Sequence, residues 1–395
     1  MIMQFSIPFS GRSHSYNEEE VNVAVNVMQT ATPLTQGLYQ KKFEEKFADY
    51  CGVDHAFAVM NATSGLELAA KCCALKSGDE VIVPSHTFTS SAYPFVKEGA
   101  RIVWADIDLK TRVANAETIA RCITPNTRVI VVPHLYGYVA DMLEIQDLAN
   151  KNDLILIEDA AQSLGSKLNG NMAGSFGDFS VFSFHSHKNV TTLGEGGVLI
   201  VKDDEIAKLI PLIRHNGHCS FESDRSDYWL PAMGNVDLPS LGNNYIWPSN
   251  FCLGEVECAV GTKLLDRIDS INEKKRARAM NFIDELNNFP ELIFHRVDSV
   301  RHNYHLLVAQ MIGTYRNDFI RSMAINEGIQ CVVQYCPLNR YPFYKKIGMG
   351  DADCPNSDKF FDNMISFPFH DSLLDSELDQ MLTSTKKVLK QISSE

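Results

Sequence analysis

Seven short apolar runs, separated by stretches with helical patterning, constrain the fold of this 395-residue chain more than any other feature. Most of the runs are apolar throughout and do not alternate with polar residues, which is the pattern of strands buried on both faces of a mostly parallel sheet. The intervals leave room for crossover helices, for example at 114–122 and 143–151. We therefore predict an α/β fold, a seven-stranded sheet sandwiched by helices, with its site at the carboxyl ends of the strands. The seven runs are 56–60, 80–83, 101–104, 128–132, 154–157, 179–184 and 198–201.

The pattern changes near residue 264, where the alternation of apolar runs and helices gives way to a long charged helix. We predict a large domain at 1–263, which includes the N-terminal segment. A smaller α+β domain is predicted at 264–395, and it includes the connecting helix. Its predicted elements are a helix at 264–285, strand-like runs at 306–311 and 329–333, and a final helix at 377–392.

The charge and the hydropathy pattern exclude several classes of function. A net charge of −13 argues against nucleic acid or an anionic membrane as a partner, because both need a basic surface. No apolar run approaches the roughly 20 residues that cross a bilayer, and the N-terminus lacks the basic and apolar regions of a secretion signal. We therefore expect a cytoplasmic protein that holds any anionic ligand with local groups.

The cysteines and histidines point to neither disulfides nor a metal. The ten cysteines contain no Cys-x-x-Cys pair, and the pattern predicts buried free thiols in a reducing compartment. A metal site could use His185 and His187, or His215 and His218, but neither pair is accompanied by a second cluster at ligand spacing. We therefore predict no metal.

Lys188 stands between an apolar strand end, 182–184, and the glycine-rich turn Gly194-Glu195-Gly196-Gly197. A lysine kept from solvent has a lowered pKa, and its amine can act as a nucleophile that forms a Schiff base. A solvated loop lysine is the simpler interpretation. The functional interpretation of Lys188 therefore depends on partners elsewhere in the chain.

One such partner is Asp159, which follows the apolar run 154–157. A buried carboxylate needs a cationic partner. A protonated pyridine nitrogen can be that partner, and the cationic ring then absorbs electrons when a bond to Cα breaks. The alternative is a helix N-cap, a position that favours Asp for a purely structural reason.

Two other strand ends carry candidate ligands. Thr63 and Ser64 precede a helix-like stretch, where hydroxyls and free amides bind phosphate, although a plain helix cap has the same pattern. Ser183 adds a hydroxyl near the lysine, and Phe88 can stack on a planar ligand or simply fill the core. An amine, a carboxylate, an anion site and an aromatic ring at the carboxyl ends of one sheet together suit pyridoxal 5′-phosphate (PLP).

Several longer motifs follow one another in a specific order over almost the whole chain. They are Thr35-Gln36-Gly37, Gly78-Asp79-Glu80-Val81-Ile82, His134-Leu135-Tyr136-Gly137, Glu158-Asp159-Ala160-Ala161-Gln162, the 182–188 segment with its Gly-Glu-Gly-Gly turn, and Tyr335-Cys336-Pro337-Leu338. In order and spacing these motifs resemble those of the DegT/DnrJ/EryC1/StrS family of PLP-dependent sugar aminotransferases. That family has the aspartate-aminotransferase fold, PLP fold type I, which agrees with the predicted sheet.

The resemblance implies a role for each candidate residue. Lys188 matches the lysine that binds PLP as an aldimine and shuttles the proton between Cα and the cofactor. Asp159 matches the partner of the pyridine nitrogen, Gln162 the residue that hydrogen-bonds the ring hydroxyl, and Phe88 the ring-stacking aromatic. The ligands of the phosphate are matched by Thr63, Ser64 and Ser183.

The resemblance also implies a homodimer with its active site at the interface, where the neighbouring subunit contributes an Asn to the phosphate. Two residues qualify. Asn244, in Gly242-Asn243-Asn244-Tyr245, looks closer to the family motif. An ungapped count back from 257–261 selects Asn250 instead, and we prefer Asn250 because this register also matches the following helix.

The chain departs from the family pattern where the acceptor is expected. Cys252 or Ile246 stands in place of an Arg, depending on the register, and Gln334 and Asn339 replace two histidines. The stretch 227–247 is longer than usual. These departures bear on the identity of the acceptor and leave the cofactor assignment unchanged.

The activity that the resemblance implies is amino transfer through a Lys188 aldimine and a pyridoxamine phosphate (PMP) intermediate. The expected donor is L-glutamate, and the expected acceptor is a nucleotide-linked 3- or 4-keto-deoxysugar for cell-surface polysaccharide. A phosphorylated ketose or a cyclitol ketone is the alternative acceptor. A PMP-dependent sugar dehydratase has histidine in place of the lysine and is disfavoured, because the register selects Lys188 and not His187. A non-catalytic PLP-binding regulator is the third class.

Overall fold

The centre of the fold is a seven-stranded sheet, and its strands fall on the seven predicted apolar runs. The computed structural model describes residues 5–9, 13–219, 235–236, 238–241 and 244–392. The predicted α/β fold is confirmed. The strands are β1 (Ala56–Val59), β2 (Glu80–Pro84), β3 (Arg101–Ala105), β4 (Thr127–Pro133), β5 (Ile155–Asp159), β6 (Phe179–Ser183) and β7 (Gly197–Val201).

The sheet is mostly parallel and has the strand order β1-β7-β6-β5-β4-β2-β3. Five adjacent strands, from β3 to β6 in this order, pair in parallel. The exception is β7, which runs antiparallel to both of its neighbours, β6 and β1. Because β1 consequently points the same way as β6, the carboxyl ends of every strand except β7 lie at one edge of the sheet.

Helices surround this sheet and extend beyond it. The helices in the described residues are α1 (Glu18–Thr30), α2 (Leu38–Cys51), α3 (Ala62–Cys72), α4 (Tyr93–Lys97), α5 (Ala116–Ala120), α6 (Met142–Lys151), α7 (Asp204–Arg214), α8 (Glu255–Leu264), α9 (Ile268–Glu285), α10 (Arg316–Ile325), α11 (Pro342–Lys346), α12 (Pro355–Asn363) and α13 (Asp375–Ile392). In this part of the chain no helix has both the length and the apolarity needed to span a membrane.

Both faces of the central sheet are buried, as the unbroken apolar runs indicate. Successive residues of a strand point to opposite faces. In β2, Val81 and Val83 therefore join the apolar cluster that contains residues of α3, α4 and α7, whereas Ile82 joins the cluster that contains residues of α5 and α6. Burial on both sides explains why the runs show no polar alternation.

A second, antiparallel sheet has the order β8-β9-β10, with β8 at Leu292–Phe294, β9 at Leu307–Met311 and β10 at Met364–Phe367. Apolar residues of α9, α10 and α13 pack with it, and so does Ile7 from the N-terminal segment. The division of the chain at residue 263 stays a prediction. Pairs of two-residue strands lie elsewhere: Lys167–Leu168 with Asn171–Met172, His218–Cys219 with Asn235–Val236, and Ser240–Leu241 with Asn244–Tyr245.

Only one strand of the second sheet was predicted correctly from the sequence. The predicted run at 306–311 is β9, whereas β8 and β10 were missed. The predicted strand at 329–333 is wrong, because Ile329 and Val332 form only isolated bridges, to Ile7 and Ser366. Of the cysteines, nine are described with free thiols, and five of these are buried and four are partly exposed.

Gly197, the last residue of the glycine-rich turn, permits a close approach between β7 and the start of α3. A Cβ atom at this position would lie 2.5 Å from the carbonyl carbon of Asn61 and 2.7 Å from the backbone nitrogen of Ala62. Backbone atoms cannot move aside as a flexible side chain can. The glycine therefore sets the position of the α3 N-terminus against the sheet.

We expect Gly197→Ala to lower the free energy of unfolding by about 2–3 kcal/mol through overpacking, as measured by urea denaturation. Gly52→Ala is the control. A Cβ atom at Gly52 would meet nothing within 4 Å, so its φ of 69° is the only source of strain, and that strain costs about 1 kcal/mol. A Gly197→Ala effect no larger than that of Gly52→Ala would contradict the close approach.

Candidate active site

A cavity of about 410 Å³ lies at the edge of the central sheet where the carboxyl ends of the parallel strands meet. The ends of β4, β5 and β6 and the loops after β1 and β2 contribute residues to it. Residues from the region of the second sheet also line it, among them His305, Tyr335 and Phe369. The cavity thus draws its lining from the regions of both sheets and lies where the architecture predicts a ligand site.

Lys188 lies in this cavity, in the loop that follows β6. Its backbone N–H donates to the carbonyl oxygen of His185 (2.8 Å), and its own carbonyl oxygen accepts a hydrogen bond from the Ser13 hydroxyl. Burial lowers the pKa of the Lys188 amine to about 8, although the nearby Asp159 carboxylate opposes this shift. Near pH 8 a large fraction of the amine is therefore unprotonated and nucleophilic.

Asp159 ends β5 and has only 8% of its surface exposed. Its Oδ2 accepts a hydrogen bond from the Ser91 hydroxyl (2.6 Å), and its Oδ1 accepts one from the backbone N–H of Ala161 (3.2 Å). A carboxylate has about four acceptor positions. Beyond these two described donors, Asp159 can therefore accept a charge-assisted hydrogen bond from a cationic group in the cavity.

The N-terminus of α3 supplies free backbone N–H groups and nearby hydroxyls. Asn61 caps the helix, since its Oδ1 accepts from the backbone N–H of Ser64 (2.9 Å), and the Ser64 hydroxyl donates back to the Asn61 carbonyl oxygen (2.7 Å). The Thr63 hydroxyl lies in the cavity, 2.9 Å from that of Ser90. With Ser183 at the end of β6, these groups form an arrangement suited to an anion.

Gln162 is oriented by hydrogen bonds at both ends of its amide. Its Oε1 accepts from the backbone N–H of Tyr136 (2.7 Å), and its Nε2 donates to the Tyr335 hydroxyl (3.3 Å). Burial raises the pKa of the Tyr335 hydroxyl to about 12, so this hydroxyl stays protonated and can donate in turn. Phe88 is half exposed and lies beside Tyr335, with 5.8 Å between the ring centroids.

The structure brings together six of the eight predicted site residues, and two lie elsewhere. Ser64 does not line the cavity, and its hydroxyl is used by the helix cap. Asn250 is exposed, pairs through its backbone with His215 and does not line the cavity of this chain. The side chain of Asn244 lies outside what the structure describes. Much of the predicted insertion at 227–247 is outside the described residues. The six are Lys188, Asp159, Thr63, Phe88, Gln162 and Ser183.

Sequence reasoning assigned no role to several residues that line or support the cavity. Ser90 and Ser91 follow Phe88 almost directly, and hydroxyl groups just after the end of a strand are a sequence pattern that could have indicated cavity residues. Tyr335 stands in a motif already recognised. His305 has no local signal, because its neighbours come from distant segments. In the described part of the chain, no group of three or more His, Cys, Asp or Glu residues is placed to hold a metal ion.

Glu158, the penultimate residue of β5, is fully buried and surrounded by donors. Its Oε1 accepts from the backbone N–H groups of Phe176 and Gly177 (both 2.7 Å). Its Oε2 accepts from that of Gly174 (2.8 Å) and lies 2.9 Å from His134 Nε2. Burial alone would raise the pKa of Glu158, but the hydrogen bonds from His134 and the backbone outweigh burial and lower it below its ordinary value.

We expect Glu158→Gln to destabilise the fold by about 3–5 kcal/mol at pH 7, because the new NH2 group must face backbone donors. Since the folded-state pKa of Glu158 is depressed, its stabilisation is complete above the ordinary carboxyl pKa and is lost as the pH falls through the folded-state value. Urea denaturation at pH 7 and below pH 4.5 should therefore show a difference between wild type and variant that shrinks in acid.

The exposed Glu144 on α6 provides the matched control for this measurement. Glu144→Gln makes the same chemical change in solvent, and we expect it to alter the free energy of unfolding by less than about 0.5 kcal/mol at both pH values. A Glu158→Gln effect as small as that of Glu144→Gln would contradict the assigned hydrogen bonds.

Comparison with known proteins identifies the family of this chain. The sequence model of the DegT/DnrJ/EryC1/StrS aminotransferase family matches residues 14–386. GDP-perosamine synthase from Caulobacter vibrioides is 30% identical over 383 residues, which cover 94% of this chain and 95% of that protein. The resemblance predicted from the motifs is therefore confirmed.

Solved structures share the same fold. Helicobacter pylori PseC, an aminotransferase involved in the biosynthesis of pseudoaminic acid, has a TM-score of 0.86 at 24% identity, covering 98% of this chain and 100% of PseC. NtdA from Bacillus subtilis, solved with bound cofactor PMP, has a TM-score of 0.82 at 23% identity, covering 95% of this chain and 83% of NtdA. The chain belongs to the DegT/DnrJ/EryC1/StrS family and is an aminotransferase with PLP fold type I.

Proposed function

We propose that this aminotransferase depends on PLP and moves an amino group from L-glutamate to the keto group of a nucleotide-linked 3- or 4-keto-deoxysugar. The observation that carries the proposal is a single cavity that holds the Lys188 amine, the Asp159 carboxylate and the N-terminus of α3. A nucleophilic amine, an acceptor for a cation and an anion site are the groups that PLP requires. The similarity to GDP-perosamine synthase supports a sugar as the acceptor.

The residues of the cavity fit this cofactor. When bound, PLP supplies an aldehyde carbon that takes up the amino group and a cationic ring that accepts the electrons released at the substrate Cα. Asp159 would hold the proton on the ring nitrogen with its remaining acceptor positions. Thr63, Ser183 and the free N–H groups of α3 would bind the phosphate. Gln162 would donate to the ring hydroxyl, and Phe88 would stack on the ring.

Lys188 carries the protons of the reaction. With a pKa of about 8, its amine is available in both protonation states near neutral pH, so it can remove a proton at the substrate Cα and return it. Ser13 and His185 hold the backbone of Lys188 in place through the hydrogen bonds described above. A fixed backbone limits the amine to the few positions that its side-chain rotations reach.

We also propose a homodimer in which Asn250 of each subunit reaches the phosphate site of the other. Asn250 is exposed in this chain, and the nearby Tyr245 and Trp247 expose 84% and 76% of their surfaces. Aromatic side chains exposed to this degree are typical of surfaces that a partner covers. A second subunit seated there would bury these rings and receive Asn250 at its phosphate site.

We expect Lys188→Ala to abolish both amino transfer and covalent attachment of PLP. Borohydride treatment of the wild-type protein loaded with PLP should fix the cofactor on the peptide that contains Lys188, as read by mass spectrometry. Lys188→Ala should give no such adduct. The neighbouring His187→Ala is the control and should keep the adduct. An adduct that persists in Lys188→Ala, or that is lost in His187→Ala, would show the assignment to be wrong.

The acceptor is identified with a panel of ketones and L-glutamate as donor. We expect an amine product from a nucleotide-linked 3- or 4-keto-deoxysugar, detected by mass spectrometry, and none with Lys188→Ala. Turnover only of a phosphorylated ketose or a cyclitol ketone would favour the alternative acceptors. A deoxysugar with release of ammonia would identify a dehydratase, and binding of PLP without turnover of any ketone would favour a regulator.

Mixing two inactive variants tests the shared site. In a hybrid of Lys188→Ala and Asn250→Ala subunits, one of the two sites contains both an intact Lys188 and an intact Asn250. Random re-association of equal amounts should therefore restore about a quarter of the wild-type activity. If Asn250 serves its own subunit, or if Asn244 is the shared residue, mixing restores nothing beyond the separate variants, and Asn244→Ala then takes the place of Asn250→Ala.

A further inference from the structure

Three buried polar side chains lie behind the loop of Lys188 and connect it to the cavity residue His305. Asn189, Asn272 and Lys275 expose 6% or less of their surfaces, and the proposed function gives them no role. Asn189 directly follows Lys188, whereas Asn272 and Lys275 lie about one turn apart on α9. Polar groups buried this deeply need hydrogen-bond partners, so the directions of their hydrogen bonds are closely constrained.

The chain of hydrogen bonds starts at a backbone carbonyl, which can only accept. Asn272 Nδ2 donates to the carbonyl oxygen of Leu164 (2.8 Å), and this fixes which end of the Asn272 amide is the oxygen. Asn272 Oδ1 then accepts from Asn189 Nδ2 (2.9 Å). The oxygen of the Asn189 amide therefore faces Lys275 and His305.

Asn189 Oδ1 receives a hydrogen bond from each of these two residues. Lys275 Nζ donates to it over 2.8 Å, and His305 Nδ1 lies 3.3 Å away. Because an amide oxygen offers only lone pairs, His305 Nδ1 must carry the hydrogen. Lys275 also donates to the carbonyl oxygens of His305 (3.2 Å) and Phe369 (3.4 Å), which holds its amine in this position.

The His305 ring is neutral as well as fixed in its tautomer. Burial lowers the pKa of His305 well below its ordinary value, and the neighbouring Lys188, Lys275, His187 and His302 all act in the same direction. A neutral imidazole with its hydrogen on Nδ1 has a lone pair on Nε2. His305 lines the cavity, and the hydrogen bond described for its ring uses Nδ1. Nε2 is therefore the ring atom available to a ligand.

We propose that His305 Nε2 accepts a hydrogen bond from a hydroxyl group of the ketosugar, and that Asn189 and Lys275 are positioning residues that hold the required tautomer. The inference rests on the proposed function and adds to it a residue that selects the acceptor. A lone pair attracts the hydrogen of a hydroxyl group and repels a carboxylate. This part of the cavity therefore suits the sugar and disfavours the carboxylates of the amino donor.

The tautomer can be measured without any assay of activity. Protein loaded with PLP and containing isotope-labelled histidine is examined by nitrogen NMR, and His305→Phe identifies the signals of His305 by their loss. We expect a protonated Nδ1 and an unprotonated Nε2, and no conversion to the doubly protonated ring between about pH 6 and pH 8. A protonated Nε2 in this pH range overturns the proposal.

Variants of Lys275 test the positioning role in the same spectrum. Lys275→Met removes a donor to Asn189 and should allow the second tautomer of His305 to appear. Lys275→Gln keeps a donor and should retain the first tautomer. If Lys275→Met does not fold, Asn189→Leu serves in its place, because it removes the acceptor of His305 Nδ1 itself. Spectra of His305 that match wild type in all of these variants overturn the positioning role.

The effect on catalysis is measured by separating the two half-reactions. His305→Phe should lower kcat/KM for the ketosugar by about 10- to 100-fold, because a hydroxyl group loses its acceptor in a buried site. The half-reaction with L-glutamate should change by less than about threefold. His305→Gln places an amide oxygen in the cavity and should recover part of the loss. Equal losses in both half-reactions, or no loss, overturn the proposal.

Failure of the proposed function gives a different result. In that case the wild-type protein gives no amine product from L-glutamate and the nucleotide-linked ketosugar, whereas a failure confined to the role of His305 leaves this wild-type turnover intact. The NMR measurement decides the tautomer of His305 in both cases, and a protonated Nε2 overturns the inference whichever activity is found.

Discussion

The rest of the site depends on how the two adjacent carboxylates at the end of β5 are buried. Glu158 and Asp159 point to opposite faces, as neighbours in a strand must. Glu158 is surrounded by backbone N–H groups, the Ser180 hydroxyl and His134, so its charge is stabilised by hydrogen bonds within the protein. Asp159 receives hydrogen bonds from Ser91 and Ala161, which leaves room for a cation. The end of β5 thus has, on one face, the carboxylate of Glu158, whose hydrogen-bond partners lie within the protein. On the other face it has the carboxylate of Asp159, which can still accept a hydrogen bond from a cation.

The position of the Lys188 loop also depends on its hydrogen bonds to the N-terminal segment. Ser13 donates through its backbone N–H to the carbonyl oxygen of Ser186 (3.2 Å) and through its hydroxyl to that of Lys188, and the Tyr16 hydroxyl donates to that of Thr191 (3.0 Å). The same segment continues to Ile7, which packs in the core of the second sheet. Residues far from Lys188 in sequence therefore hold its backbone, and they tie it to the wall of the cavity that carries His305.

The sequence predicted the central sheet because each strand is buried on both faces and therefore reads as an apolar run. It missed β8 and β10, since three or four residues at the edges of a small sheet give too short a pattern. Thr63 and Ser64 look equivalent in sequence, yet only Thr63 faces the cavity, because the cap formed with Asn61 uses the Ser64 hydroxyl. His305 was unpredictable for a different reason: its role is set by Asn189 and Lys275, which are local to neither its strand nor its loop.

The pKa values of the buried basic groups determine how much positive charge lies in and near the cavity. Burial lowers the pKa of Lys188 to about 8 and that of Lys275 to about 7, and the buried His305 is neutral. Within the cavity, Lys188 therefore loses about half of its positive charge near pH 8, and His305 adds none. With a net charge of −13, the chain offers no attractive field for an anion either. A phosphate must then be held by dipoles, namely the N–H groups of α3 and the hydroxyls of Thr63 and Ser183, because these keep their donors at any pH at which the fold is stable.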